Sequence, residues 1–339
     1  MPMLTTLPEL IQLYRAMHLL RAFDRKAIAL HRTGKLGTFP SSLGQEAIFV
    51  GLGSAMRPED VLCPYYRDHG ALFQRGVSME EIFTYWGGDE RGNCFANAKE
   101  DFPICVPIAS QCLHAAGVAY AFKKRKEPRV AVASCGDGAT SKGDFYEALN
   151  LAGVWHLPLV FVINNNQWAI SVPRTAQTAV PTLAQKATAA GFRGIQADGN
   201  DVVTLRQVIS EAIEKARQGQ GPCLIEALSY RLCDHTTADD ARRYINEEEH
   251  AAAWAAEPIA RLRKQLQAER RWSNEQEEAL KQECQHRVAK AAESYLQMGP
   301  QTPESMFDYL YENLPTSLQA QRRALQGSGS QEEPLTSTP

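Results

Sequence analysis

The run from Arg129 to Cys135, RVAVASC, is short and apolar, and a second such run, PLVFVI, spans Pro158 to Ile163. Strands without polar alternation are buried on both faces, the habit of parallel sheets covered by helices. A helix-forming stretch from Asp144 to His156 lies between the runs, and a crossover of about 20 residues suits a parallel βαβ unit. GIQADGND near Gly194 and CLIEALSY from Cys223 supply further strands around a helix over 204–218. The expected fold is α/β, a doubly wound, mainly parallel sheet flanked by helices, with helical N- and C-terminal extensions.

From Leu7 to about Arg32, Leu10, Leu13, Tyr14, Met17, Leu20 and Phe23 fall at three- and four-residue spacing, which makes one apolar helix face. A second helix starts near Gly44, runs through GQEAIFVGLGSAM and stops before Pro58; a third covers Ser110 to Lys126. After Asn246, strong helix formers with interleaved charge predict amphipathic surface helices. These changes divide the chain into an N-terminal helical segment (1–60), an α/β domain (61–245), C-terminal helices (246–314) and a flexible tail (315–339). The tail has too little apolar content to offset the entropy of ordering it. No internal repeat is present.

The 36 Lys and Arg against 39 Asp and Glu leave a net charge of −3, so no basic field holds a nucleic acid. No apolar run approaches the ~18 residues of a membrane span, and MPMLTTLPEL lacks the parts of a signal peptide, so a cytoplasmic protein is expected. The eight cysteines never fall as CxxC, which points to free thiols rather than disulfides or zinc.

The chemistry concentrates in CGDGATSKGDFYEALN, which begins where the first buried strand ends. Gly136, Asp137 and Gly138 sit at the carboxyl end of a parallel strand, the edge where α/β sheets bind ligands. Glycines let main-chain NH groups approach anionic oxygens, and the following helix adds its positive N-terminus, so this is a phosphate site. An aspartate there repels phosphate unless a cation lies between them, and magnesium is the natural candidate. The next strand ends in Asn164, Asn165, Asn166, Gln167 and Trp168. A carboxylate, an amide oxygen and a main-chain carbonyl from adjacent tips would half-fill an octahedral magnesium shell. Asn-rich turns are common after strands, and GDG alone is weak evidence, but the two together at consecutive tips are far less common by chance.

GDG followed by NN resembles the thiamine diphosphate and magnesium motif. More narrowly, GDGATSKGDFYEALNLAGVWHLPLVFVINNNQWAIS is similar to the α subunits of heterotetrameric 2-oxo acid dehydrogenase E1 components. So are GQEA at Gly44–Ala47, PYYRD at Pro64–Asp68 and YRLCDHTTADD at Tyr230–Asp240. The resemblance runs from about Leu10 to Tyr311 and leaves out the tail. It implies that Asp137, the Asn166 side chain and the main-chain carbonyl of Trp168 hold magnesium; Trp168 replaces a usual tyrosine. Gly136, Gly138 and Ala139 would approach the diphosphate, Tyr66 and Arg67 would reach its oxygens, and Ile108 would touch the aminopyrimidine through its backbone. An exposed ion pair with Asp68 is the plain alternative for Arg67. His235 would contact the diphosphate and assist transfer to the lipoyl group, from a loop over the active-site funnel. Thr236 stands where mitochondrial relatives have a regulated serine. Asp234, His235, Asp239 and Asp240 could otherwise be metal ligands. Asp144 and Glu147 share one helix face and would relay protons between paired sites, against the plain reading of solvated charge.

The resemblance further implies an α2β2 assembly with an E1 β subunit, because no glutamate for the aminopyrimidine can be placed in this chain. It implies decarboxylation of a 2-oxo acid substrate and reductive acylation of a lipoylated E2 acyltransferase. Pyruvate is the expected substrate, and a branched-chain 2-oxo acid or acetoin is the alternative. A nicotinamide dehydrogenase is disfavoured, since the third glycine of GxGxxG is missing and Asp137 would repel a pyrophosphate. A non-catalytic scaffold is disfavoured by the intact Arg67, Asp137, Asn166 and His235.

Overall fold

A computed structural model describes residues 6–308 and 310–328. In chain order the helices are α1 Leu7–Arg32, α2 Glu46–Ala55, α3 His69–Gln74, α4 Met79–Trp86, α5 Ser110–Arg125, α6 Gly143–Val154, α7 Arg174–Gln177, α8 Lys186–Ala189 and α9 Val202–Arg217. They continue with α10 Glu247–Ala255, α11 Pro258–Ala268, α12 Asn274–Gln297 and α13 Thr316–Ser328. The strands are β1 Val61–Cys63, β2 Ala131–Gly136, β3 Leu159–Asn165, β4 Trp168–Ala169, β5 Val172–Pro173, β6 Arg193–Asp198 and β7 Cys223–Leu228.

Five strands form one parallel sheet in the order β1-β2-β3-β7-β6. Alternate residues feed two cores. Ala131, Ala133, Leu159 and Phe161 pack with Cys112 and Ala115 of α5 and Phe145 and Leu149 of α6. Val132, Val160, Val162 and Ile225 pack with α1, α2 and α9 on the other face. The doubly wound expectation therefore holds. β1 is too short at three residues to stand out in the sequence, and it joins the sheet through its register with β2, Val61 opposite Ala131.

The chain divides after Tyr295 into two compact units. Within the first, Leu13, Met17 and Leu20 of α1 share a core with Leu262 and Leu266 of α11 and with Val288 and Ala291 of α12. The boundaries expected at 60 and 245 thus mark changes of sequence character inside one folded unit. In the second unit a 3₁₀ helix at Pro303–Phe307 precedes α13. The flexible tail expected from residue 315 is corrected for Thr316–Ser328, where good helix formers (Leu318, Ala320, Arg322, Ala324) sustain a helix despite low overall hydrophobicity. Residues 329–339 lie outside the described ones.

Thr6 caps α1 through a reciprocal box with Glu9, and the expected apolar face is buried. Arg21 and Asp24 of the same helix are buried as well. Asp24 Oδ2 accepts from Ser41 Oγ at 2.7 Å, Ser42 N at 2.5 Å and Ser42 Oγ at 3.0 Å, yet burial pushes its carboxyl up to about 7. A folded-state value above the unfolded 3.8 means that the folded chain holds the extra proton, so stability is lost as pH rises through about 4 to 7. The loss has an upper bound on the order of 4 kcal/mol. Asp24→Asn, a neutral mimic, is expected to gain stability relative to the parent between pH 5 and pH 8. Thermal midpoints at the two pH values check this, and a variant that loses ground as pH rises would contradict it.

Candidate active site

At the carboxyl edge of the sheet, Gly136 of β2 lies in register with Asn164 of β3, so the two motif-bearing tips are neighbours. They open into a cavity of about 480 Å³. Tyr66, Arg67, Ile108, Gly136, Asp137, Gly138, Ala139, Asn166, Trp168 and His235 all line it. Asp144 and Glu147 do not; they stand on α6 outside the cavity, half-buried and exposed respectively.

A 3₁₀ turn, Asp137–Ser141, separates β2 from α6, so the strand tip meets this turn rather than the N-terminus of α6 expected from the sequence. Gly138 is required by space, since a Cβ there would stand 2.7 Å from that of Ala169. Asp137 is buried, its Oδ2 accepts from Gln177 Nε2 of α7 at 3.0 Å, and it has no ion-pair partner among the described residues. Burial is the main cause that pushes its carboxyl above the ordinary value. Gln167 (φ 72°) and Ile170 (φ 56°) adopt left-handed backbone on either side of Trp168. Left-handed non-glycine backbone costs about 1 kcal/mol or more per residue and collects at ligand-binding turns. Here it turns the chain after β3 sharply into the small β4–β5 hairpin that carries the Trp168 carbonyl.

Two guanidiniums, that of Arg67, which lines the cavity, and that of Arg231, which bonds to the lining residues Trp168 and Ile170, have no carboxylate within 4 Å among the described residues. Arg67 is 1% exposed; it donates to the carbonyls of Ser41 and, at 3.0 Å, His235, while its Nε has no partner. The exposed Arg67–Asp68 pair considered from the sequence is therefore corrected: Asp68 is itself buried and accepts from Tyr65 N and Ser134 Oγ. Arg231, fully buried, donates to the carbonyls of Trp168 (3.4 Å), Ile170 (2.7 Å) and Cys233 (3.1 Å) and to the Tyr244 hydroxyl (2.6 Å). Both guanidiniums approach His235 Nδ1 at 3.4 Å. Guanidinium only donates, so Nδ1 is the acceptor and the imidazole proton sits on Nε2. Burial first, then the charges of Arg67 and Arg231, pushes the His235 imidazole down to about 3. The His235 NH donates to Asp239 Oδ2 at 2.8 Å, and Tyr244 also donates to that oxygen, which ties the 234–244 loop to Arg231. Asp234, His235, Asp239 and Asp240 form no metal cluster; among the described residues no three His, Cys, Asp or Glu side chains converge for one.

Buried guanidiniums without carboxylates call for an anion, and a buried carboxylate without a cation calls for a cation. The residues present therefore suit a diphosphate held beside a divalent metal. Sequence reasoning missed Arg231 and Gln177, together with Gln111, which lines the cavity, and Gln45, which accepts from the Asn166 amide. Arg231 lies inside the YRLCDHTTADD block, and Gln45 inside GQEA; for Gln111 and Gln177 no local signal exists.

The family model described as "Dehydrogenase E1 component" matches residues 14–304. A relative named 3-methyl-2-oxobutanoate dehydrogenase subunit alpha, from Mycobacterium tuberculosis, is 41% identical over 322 residues, covering 94% of this chain and 88% of the relative. Proteins named pyruvate dehydrogenase E1 component subunit alpha are similar over comparable lengths. That of Mycoplasma pneumoniae is 38% identical, with 93% of this chain and 88% of the relative covered. That of Staphylococcus aureus is 38% identical, with 92% and 85% covered.

Proposed function

Because the chain belongs to the dehydrogenase E1 component family, we propose that it is the α subunit of a pyruvate dehydrogenase E1 component. Its assembly would decarboxylate pyruvate oxidatively and acylate the lipoyl group of an E2 acyltransferase. The observation that carries this reading is the meeting of Asp137, Asn166, Trp168, Arg67 and His235 around one cavity at the sheet's carboxyl edge. A second reading, with 3-methyl-2-oxobutanoate as substrate, draws on the 41% identical relative of that name.

Thiamine diphosphate, when bound, supplies a carbon nucleophile and a sink for the charge left by decarboxylation. Arg67 would neutralise diphosphate oxygens, and the main chain at Gly138 and Ala139 can approach them because no side chain stands at Gly138. Asp137, Asn166 Oδ1 and the Trp168 carbonyl would hold magnesium. His235, neutral and protonated on Nε2, has one N–H to donate, and we propose that it assists transfer to the lipoyl group as a hydrogen-bond donor.

Among the described residues Asp137 is the only carboxylate lining the cavity, and no glutamate among them lines it to serve the aminopyrimidine. A β subunit must complete the site, which supports an α2β2 assembly. Tyr120 of α5, Tyr146 and Val154 of α6 and Trp155 just beyond are exposed, the Tyr120 and Trp155 rings lie 4.9 Å apart, and exposed large apolar side chains suit a partner. Asp144 and Glu147 of α6 are proposed to relay protons between paired sites. No helix among the described residues is long and apolar enough to cross a membrane; we place the enzyme in the cytoplasm.

The test is decarboxylation by the chain co-expressed with a candidate β subunit, with thiamine diphosphate, magnesium and an artificial electron acceptor. A kcat/KM for pyruvate about tenfold or more above that for 3-methyl-2-oxobutanoate is expected, since one or two methylenes are worth ~1 to 3 kcal/mol each at most. The reverse order would move the assignment to the branched acid. Turnover of neither, with cofactor bound, would overturn the 2-oxo acid reading and direct attention to acetoin.

A further inference from the structure

GQEA was singled out in the sequence, and the chemistry above leaves it without a role. Gln45 occupies the N-cap position of α2, but its side chain makes no capping hydrogen bond. It is fully buried and touches the cavity through Asn166, which lines it. Its Oε1 accepts from Asn164 Nδ2 at 2.7 Å and from Asn166 Nδ2 at 2.8 Å.

The direction of these amides is settled by a backbone donor. Trp168 N–H lies 3.2 Å from the Asn166 side chain, and because an N–H can only donate, the atom that faces it is Oδ1. The Asn166 amino group is then the end that faces Gln45, and the Gln45 atom between the two asparagines is its oxygen. We propose that Gln45 is a positioning residue for the cation: it engages the Asn166 amino group so that Oδ1, with a lone pair beyond the one given to Trp168, is the atom available to metal. This rests on the magnesium reading of Asp137, Asn166 and Trp168. Without an acceptor at Gln45 only the longer Trp168 N–H contact is left to distinguish the two ends of the Asn166 amide, and a flipped amide would present its N–H groups to a divalent ion.

The rest of the motif holds Gln45 in place. Gly44 adopts φ +85°, and a Cβ there would meet Leu232 Cγ at 2.6 Å and the Tyr230 carbonyl at 2.8 Å. Its N–H donates to Glu46 Oε2 at 3.0 Å, and Glu46 Oε1 receives Arg21 Nε at 2.7 Å. Arg21 in turn reaches Glu257 Oε2 at 2.6 Å. The turn before α2 is thus pinned both to the 230–232 segment and to the helical layer.

The experiment uses the αβ complex and measures thiamine diphosphate binding by calorimetry across a series of Mg²⁺ concentrations, together with the electron paramagnetic resonance spectrum of bound Mn²⁺. In Gln45→Leu the Mg²⁺ concentration for half-saturation is expected to rise about 10- to 100-fold, the usual effect of losing an outer-layer partner of a metal ligand. kcat at saturating metal should stay within about threefold, and the Mn²⁺ spectrum should change. Gln45→Glu, which keeps an acceptor oxygen, should shift half-saturation clearly less than leucine does. If the leucine variant fails to fold, Gln45→Met serves in its place. Mg²⁺ affinity and a Mn²⁺ spectrum unchanged in the apolar variant would overturn the proposal, as would equal losses in the leucine and glutamate variants. Asp137→Ala separates this from the underlying reading: if neither that variant nor omission of metal alters cofactor binding, the magnesium site itself is wrong. If Asp137→Ala loses binding while Gln45→Leu does not, only the role of Gln45 falls.

Discussion

Replacing Arg67 with methionine is expected to weaken thiamine diphosphate binding by the αβ complex by about a hundredfold or more, while the cofactor-free complex unfolds at the same temperature or higher. Each charge-assisted hydrogen bond lost to a buried phosphate oxygen costs about 1.5 to 3 kcal/mol, and 1.4 kcal/mol is a factor of ten. The unusual half of the expectation is stability. Arg67 is buried beside Arg231 with no carboxylate partner among the described residues, so without an anion it carries an uncompensated desolvation cost. Methionine fills most of its volume and removes that charge, at the expense of two carbonyl contacts, to Ser41 and His235. Arg231→Met provides the contrast. Its guanidinium braces three carbonyls and the Tyr244 hydroxyl, so its loss should lower the unfolding temperature. Calorimetric titration and thermal unfolding of the cofactor-free complex check both. Unchanged affinity in the Arg67 variant would remove it from the diphosphate site.

Asp137→Ala should have the larger effect on turnover, about a thousandfold or more, because a metal clamp on developing and fixed phosphate charge is worth several kcal/mol. Magnesium should then no longer improve retention of the cofactor. The buried carboxyl is pushed above its ordinary value chiefly by desolvation, so a proton competes with the metal. In the parent enzyme the magnesium requirement should therefore rise as pH falls, because protonation removes the carboxylate ligand; in the alanine variant that pH dependence should vanish. Cofactor retention after gel filtration, with and without magnesium at two pH values, measures this. An alanine variant that still retains cofactor in a magnesium-dependent way would exclude Asp137 as the principal ligand.

The two predictions share a cause. Arg67 and Asp137 are buried charges with no ion-pair partner among the described residues, and both were singled out before the structure. Asp137 falls in GDG, where residue type, glycine spacing and a strand end point to phosphate and metal, whereas Arg67 falls in PYYRD and was singled out through the family resemblance. Arg231 was not singled out, because one arginine in a polar loop looks like a solvated charge until its carbonyl partners at Trp168 and Ile170 are seen. Gln45 was hidden for a similar reason: it sits about 120 residues from Asn166, and no periodicity links a helix start to a distant strand tip. The helix at Thr316–Ser328 was missed because low hydrophobicity was allowed to outweigh good local propensity.

Local patterning alone determined the strands Ala131–Gly136 and Leu159–Asn165, their parallel pairing and the helices about them, since uninterrupted apolar runs and amphipathic spacing act over neighbouring residues. It also determined the chemistry offered at the strand ends. Only the tertiary structure decided which residues stand around that chemistry. Asp144 and Glu147, fewer than ten residues past GDG, lie outside the cavity, whereas His235, about a hundred residues away, lines it. The reason is physical: side-chain direction on α6 is set by which face packs on the sheet, and a loop reaches a strand edge through long-range contacts that leave no mark on its own sequence.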